Sequence, residues 1–252
     1  MPQKDETKLL LSKAQDTIDI CENKYMVKSV GFLTPSERVF LQKSLKKPYS
    51  AKTMFFGGYD EAERTLFIAF PEYVSEEEAK EELCALCVTA RNLGEMSHRD
   101  FLGSLMGLGI KREMVGDIVL LEDKGIIFVR SEIKDYILTN LEKIGRDGIE
   151  ISLCENYENL IPQKKTEEIR GTVSSVRLDS VLATALKTSR SKAAALILGK
   201  VVSVNWEETE NVSKILNEGD IISVKGKGRF KLSQLNGQTK KGRDSIVIEK
   251  YV

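Results

Sequence analysis

At 252 residues the chain has the length of two compact domains, and its 41% apolar composition with 18 glycines is that of a folded protein, not a disordered one. Its 38 Lys+Arg cancel its 38 Asp+Glu, so net charge by itself points to no partner. No apolar run approaches the roughly 18 residues needed to cross a bilayer.

The acidic start, Met1-Pro2-Gln3-Lys4-Asp5-Glu6, carries only the Leu9-Leu10-Leu11 triplet where a signal peptide needs a longer apolar stretch. A cytoplasmic protein with no membrane partner is expected. Four cysteines, Cys21, Cys84, Cys87 and Cys154, are too few for a disulfide scaffold and read as reduced, buried thiols. The cancelled charge is unevenly spread. Residues 171–252 hold 14 Lys+Arg against 8 Asp+Glu, a net of +6, and residues 1–170 carry the balancing −6.

In chain order, residues 6–23 and 34–47 read as helices, the second opened by Thr34-Pro35-Ser36-Glu37, a Thr cap with Pro in the first turn and Glu three residues on. Residues 64–70 are strand-like. Residues 74–91 read as a helix capped by Ser75, and residues 98–108 as a helix capped by Ser97. Residues 117–121 and 125–130 form a hairpin about Glu122-Asp123-Lys124. A helix over 131–144 and a strand over 149–154 follow. Strand, helix, two strands, helix, strand is the split βαβ order of ferredoxin-like domains. The expected fold is α+β: a helical N-terminal segment (residues 1–50), a ferredoxin-like central domain (51–155), a linker (156–172) around Pro162 and Lys164-Lys165, and a basic C-terminal domain (173–252). That topology includes many RNA-binding domains, yet Gly125-Ile126-Ile127-Phe128-Val129-Arg130 lacks the Gly-aromatic-Gly-Phe core of RNP1.

The chemistry concentrates in residues 177–231. Leu178, Val181, Leu182, Ala185 and Leu186 repeat at helical spacing. A second helix follows, capped by Ser189 and closed by Gly199 in a left-handed conformation. Arg190 and Lys192 in its first turn oppose the helix dipole, at a cost of about 0.3–1 kcal/mol each unless an anion compensates, and a helix N-terminus suits a phosphate. Lys225, Lys227, Arg229 and Lys231 alternate as a basic stripe along one strand face, with Gly226 and Gly228 leaving the other face bare. An edge strand guarded by lysines is the bland reading; with Arg190, Lys192 and Lys200 added, nucleic acid is the stronger one.

Residues 175–231 resemble the S4 RNA-binding domain. The resemblance rests on Arg177-Leu178-Asp179, Ser189-Arg190-Ser191-Lys192-Ala193, Gly199-Lys200-Val201, Asn205 and Gly219-Asp220 in order and at the expected spacings. It implies RNA contacts at Arg177, Thr188, Ser189, Arg190, Lys192, Lys200, Asn205, Lys225, Lys227 and Arg229. Nearly the whole chain is similar to the YlmH-type S4-domain proteins of bacteria, through Phe56-Gly57-Gly58-Tyr59 with Glu63-Arg64, and through the run from His98-Arg99-Asp100-Phe101 to Lys111-Arg112 with Gly116-Asp117-Ile118. That resemblance implies a non-enzymatic factor that binds rRNA and tRNA on the large ribosomal subunit in the quality control of stalled peptidyl-tRNA, and a monomer is expected. An association with cell division also attaches to the family.

An RNA-modifying enzyme of the pseudouridine-synthase kind is the alternative class. Its nucleophile would be Asp100 in His98-Arg99-Asp100, which reads more simply as a first-turn acid. His98 is the single histidine, and no nucleophile elbow or phosphate-binding glycine motif occurs. Cys84-Ala85-Leu86-Cys87 has zinc half-site spacing without a partner pair and is expected as two core thiols inside a helix, so no metal or cofactor is expected. Gly57-Gly58-Tyr59 is either an exposed stacking turn or a turn beside a core tyrosine, and the sequence alone favours the second. Gly103, Gly107 and Gly109 either approach phosphates or let helices pack. The family resemblance tilts these three glycines toward RNA, and Tyr59, His98, Arg99, Lys111 and Arg112 are the candidates for a second RNA contact. Trp206 is expected to pack under the loop.

Overall fold

The computed structural model describes residues 4–154, 157, 166–239 and 242–251. The chain divides into two compact units, residues 1–162 and 163–252. Among the described residues no helix is long and apolar enough to cross a membrane.

The first unit begins with α1 (Lys4–Lys24), β1 (Lys28–Leu33), α2 (Pro35–Ser44), β2 (Ala51–Phe56) and β3 (Thr65–Pro71). Thr34 and Glu37 form the reciprocal cap expected of α2: Glu37 N–H donates to Thr34 Oγ1 at 3.3 Å and Thr34 N–H to Glu37 Oε2 at 2.6 Å. The three strands form an antiparallel sheet in the order β1-β3-β2. Its centre, β3, is buried along its whole length, which explains why it reads as an unbroken apolar run. Phe67 and Ala69 pack against Ala14, Ile18 and Leu41 of the helices. Leu66, Ile68 and Phe70 turn the other way, onto Leu83, Ala85 and Phe128.

Those last residues belong to a second sheet. The unit continues with α3 (Glu76–Lys80), β4 (Leu83–Thr89), α4 (His98–Gly107), β5 (Val115–Leu120), β6 (Gly125–Arg130), α5 (Lys134–Asn140), the short pair β7 (Lys143–Ile144) and β8 (Asp147–Gly148), and β9 (Glu150–Leu153). The sheet order is β5-β6-β4-β9, all pairs antiparallel. With α4 and α5 covering its far face through Phe101, Leu105 and Ile137, this is the ferredoxin-like arrangement. The α+β class holds, while two features of the expectation are corrected. The first strand of the split βαβ unit is β4, not residues 64–70, which pair with β1 and β2 in the other sheet. Residues 74–91, expected as one helix, are a five-residue helix capped by Ser75 followed by β4. In β4, Leu83 and Ala85 face one core and Leu86 and Val88 the other. A strand buried on both faces has no polar period to betray it, and its apolar run passes for a helix.

The second unit holds β10 (Thr166–Val173), α6 (Leu178–Ala185), α7 (Arg190–Leu198), β11 (Val202–Val204), β12 (Glu207–Glu208), β13 (Ile221–Val224), β14 (Gly228–Gln238) and β15 (Asp244–Tyr251). Its sheet order is β10-β15-β14-β13-β11-β12. Leu178, Val181 and Leu182 of α6 and Ala193 and Ile197 of α7 bury against Ile222, Phe230 and Ile246. Residues 166–172 of the expected linker are therefore strand, in register with β15 from Thr166↔Tyr251 to Val173↔Asp244. Apart from Tyr157, the remainder of that segment, with Pro162 and Lys164-Lys165, lies outside the described residues.

Candidate nucleic-acid interface

The α6–α7 corner is organised by a carboxylate. Asp179, in the first turn of α6 and 5% exposed, accepts from Arg190 Nη2 at 2.6 Å and Nε at 3.1 Å, and from Arg177 Nε at 3.2 Å. Burial pushes the Asp179 carboxyl up, but the hydrogen bonds and charge of Arg190, joined by Arg177, outweigh it and hold the group below the usual carboxylate range. This corrects one step of the sequence argument. The anion that compensates Arg190 at the start of α7 is Asp179 itself. Two of the Arg190 guanidinium nitrogens are committed inside the protein, while the side chain as a whole remains 52% exposed. Ser189 caps α7 as expected, accepting from Lys192 N–H at 3.3 Å. At the other end the left-handed position falls one residue later than expected: Gly199 has φ −75° and Lys200 φ 57°.

Lys187 and Thr188 form the corner between the helices, Lys187 at φ 49°. They line an open groove of about 1130 Å³ into which Lys192, Lys227 and Lys250 also project, over a floor that includes Leu186, Leu196 and Phe230. The same two residues border a smaller pocket of about 250 Å³ that Arg190 and Arg243 reach. Two acids share the larger groove. Glu167 pairs with Lys250 at 3.4 Å and Glu168 with Arg170. Lys187, Lys192 and Lys227 are all exposed and give the groove an excess of positive charge. Lys187, Arg243 and Lys250 were missed from sequence. Lys187 was legible, because a cation placed immediately before a Thr-Ser cap must sit where two helix ends meet.

Three other expectations change. Residues 225–231 are not one strand: Lys225-Gly226-Lys227 is the turn between β13 and β14, with Lys227 N–H donating to Val224 C=O at 3.0 Å. Gly226 and Gly228 are there for φ values of 75° and 103°. Only Arg229 and Lys231 share a strand face, where Arg229 lies 5.8 Å from the Tyr251 ring centroid and Lys231 is opposite Glu249. Lys200 is held by Glu210 at 2.9 Å. Asn205 is a structural staple: its Nδ2 donates to Asp220 Oδ1 at 2.8 Å and its Oδ1 accepts from Ile221 N–H at 2.9 Å. Asn205→Ala is accordingly expected to cost about 1–2 kcal/mol in a denaturation experiment while leaving the salt dependence of RNA binding unchanged. A reduced salt slope would return Asn205 to the contact surface. Trp206 is half-buried, and its Nε1 is enclosed, with no hydrogen-bond partner among the described residues.

In the first unit, Tyr59 is half-buried and its polar and aromatic contacts are internal. Its hydroxyl donates to Asp117 Oδ2 at 2.8 Å, and its ring packs on Phe128 at a centroid distance of 5.3 Å. Arg112 donates through Nη1 to the carbonyls of Val115 and Gly116; burial and the neighbouring Arg64 lower it to about 10. Both are structural and are removed from the second contact. His98, Arg99 and Lys111 stay exposed, at the two ends of α4. A Cβ added at Gly103, Gly107 or Gly109 would meet nothing within 4 Å, which rules out the helix-packing reading of these glycines. Asp100 caps α4, its carboxylate accepting from Ser97 Oγ at 2.7 Å and Ser97 N–H at 2.9 Å; those bonds hold it below the usual range. Cys84 and Cys87 lie on a strand, not a helix, and face opposite cores. Cys87 instead meets Cys154, sulfur to sulfur at 2.9 Å. Burial pushes Cys84 up to about 11 and Cys154 up to about 12, so both remain thiols at neutral pH.

Residues 81–158 match the family model described as "Putative RNA-binding domain in YlmH", which begins just before β4, as the corrected ferredoxin-like boundary does. Residues 176–222 match the S4 domain; β10, β14 and β15 lie outside that stretch. Over 249 residues the chain is 35% identical to the ribosome-associated protein quality control protein P2 of Bacillus subtilis (strain 168), covering 98% of this chain and 96% of that protein. The solved structure of the cell division protein ylmH from Streptococcus pneumoniae shares the fold, with a TM-score of 0.52 and 22% identity over 62% of this chain and 95% of that one.

Proposed function

The chain belongs to the YlmH family of S4-domain proteins, and from that premise we propose that it is a non-enzymatic, monomeric factor that binds rRNA and tRNA on the large ribosomal subunit. Its service there is the quality control of stalled peptidyl-tRNA, a reading supported by the Bacillus subtilis relative's name, which places that protein in ribosome-associated quality control. The observation that carries this reading is the groove at the α6–α7 corner, where Lys187, Lys192 and Lys227 converge. Lysines on a corner and a hairpin turn can reach successive phosphates, releasing counterions as they neutralise them. They read the shape of a folded RNA and no particular sequence. Arg190, anchored by Asp179, borders the smaller pocket next to the groove as a pre-oriented guanidinium group. His98, Arg99 and Lys111 form the second contact, on the ferredoxin-like domain.

The test is co-sedimentation of the purified protein with vacant large subunits, with large subunits bearing peptidyl-tRNA, and with intact ribosomes at two salt concentrations. Preference for the peptidyl-tRNA complex is expected. Lys187→Ala combined with Lys192→Ala should weaken binding to all RNA sequences alike and flatten the slope of log K against log salt by about two. An unchanged slope defeats the groove as the phosphate site, and equal binding to all three particles defeats the stalled-complex reading.

A further inference from the structure

Among the described residues, four of the ten most exposed large apolar side chains gather at one end of the β1-β3-β2 sheet: Tyr25 at 67%, Met26 at 49%, Tyr49 at 98% and Tyr73 at 72%. The topology puts them together. Residues 25 and 49 precede β1 and β2, and residue 73 follows β3, which pairs antiparallel with both. Tyr73 Oη donates to the Tyr25 carbonyl at 2.7 Å. Glu22, in the last turn of α1, accepts from the N–H groups of Tyr49 at 2.6 Å and Ser50 at 2.7 Å, which ties the segment before β2 to the end of α1. Tyr25 also adopts φ 54° just past that helix, a position where glycine or asparagine avoids the steric penalty. A bulky aromatic kept in a strained conformation, and exposed, is better explained by what its ring contacts than by folding.

The surroundings specify the partner. Lys24, Lys28, Lys46, Lys47 and Lys52 are exposed at the same end; of the acids there, Glu72 and Glu76 are exposed, Glu77 pairs with Lys80, Glu78 caps α3 through Ser75, and Glu22 is occupied with backbone donors. Interfaces between proteins are depleted of lysine at their centres, whereas tyrosine rings among lysines are what unpaired nucleotides require, a π-face for each base and a cation for each phosphate. We infer that this end of the sheet is an additional RNA-binding surface, on which Tyr25, Tyr49 and Tyr73 stack on unpaired bases and the flanking lysines neutralise the backbone. It takes single-stranded RNA without regard to sequence, and it is independent of the S4-domain groove.

The experiment measures binding of the full chain to a fluorescein-labelled 12-nucleotide oligouridine and to a 12-base-pair RNA duplex. Tyr49→Ala should weaken oligouridine binding about fivefold, and the triple Tyr25→Ala, Tyr49→Ala, Tyr73→Ala variant by more than about tenfold. Duplex affinity should stay within about twofold of wild type for both. Lys187→Ala with Lys192→Ala should instead weaken the duplex, so failure of the S4-domain groove and failure of the tyrosine surface give different patterns. Tyr73→Phe keeps the ring and loses only the bond to Tyr25, and should bind oligouridine like wild type. The inference is overturned if the tyrosine variants fold and bind oligouridine normally, if Tyr73→Phe is as damaging as removal of the ring, or if their one effect is to abolish self-association in sedimentation, which would assign the surface to a second copy of the chain.

Discussion

Gly58→Ala should lower the stability of the first unit by about 3 kcal/mol or more, through two effects that add. Gly58 has φ +98°, a conformation that L side chains rarely adopt. A Cβ built there would lie 2.3 Å from Phe128 Cε1 and 2.4 Å from Cδ1. Phe128 cannot retreat. It is fully buried between the two sheets, with Tyr59 against it and the Tyr157 ring edge-on at 5.6 Å. Gly57 is under the same constraint, since its Cβ would meet Ala62 Cβ at 2.4 Å and Arg64 C=O at 2.5 Å. The Gly-Gly pair thus lets the chain after β2 pass over the Phe128 ring and deliver Tyr59 to Asp117, which also accepts from the N–H groups of Glu63 at 2.7 Å and Arg64 at 3.1 Å. For a unit of this size about 3 kcal/mol corresponds to a melting temperature lower by roughly 6–12 °C. Calorimetry should show that shift in the transition of the first unit, with binding of duplex RNA by the second unit retained. A melting temperature within a degree of wild type would mean that the turn has room the geometry denies.

The Gly57-Gly58 case shows where sequence reasoning reaches its limit. Residues 98–108 and α7 announce themselves through their caps, and each has one buried and one wet face; α6 shows helical spacing although nearly all of it is buried, and residues 125–130, buried on both faces, are marked by the Glu122-Asp123-Lys124 turn before them. β4 is buried on both faces as well, but no turn signal marks its start: the Ser75 cap opens a short helix that runs almost directly into it, so its apolar run passes for more of that helix. The order of elements that defines a ferredoxin-like domain was legible, but assigned to the wrong first strand, since residues 64–70 and 83–89 are equally apolar and only pairing partners tell them apart. In the candidate site, Lys187, Lys192 and Lys227 are where a corner, a cap and a hairpin turn put them. The alternation of Lys225 to Lys231 suggested one strand because a pattern of period two does not reveal that two of its glycines have positive φ. Asp179 was read for its place in a motif, and its partner eleven residues away could not be seen without the packing of α6 on α7.

That carboxylate supplies the second large effect. Asp179→Asn keeps the shape and removes the charge, leaving Arg190 and Arg177 without their counterion. Breaking a fully buried pair costs more than about 3 kcal/mol, but both arginines reach solvent, so the expected loss is about 2 kcal/mol at pH 7. The sign with pH follows from linkage. Asp179 is held below its ordinary value in the folded protein, so its contribution is complete above an unfolded value of about 3.9 and is lost as pH falls from there through the depressed folded value. Stability curves of wild type and variant should therefore run parallel at neutral pH and converge below about pH 4. RNA binding separates two roles for Arg190. The variant is more positive by one charge, so attraction alone would tighten binding. If Asp179 serves to hold Arg190 in the orientation that meets a phosphate, affinity should instead fall about fivefold, because the freed guanidinium must be ordered on binding. A rise in affinity with convergent stability curves would leave Asp179 as a structural counterion, with Lys187, Lys192 and Lys227 as the phosphate contacts.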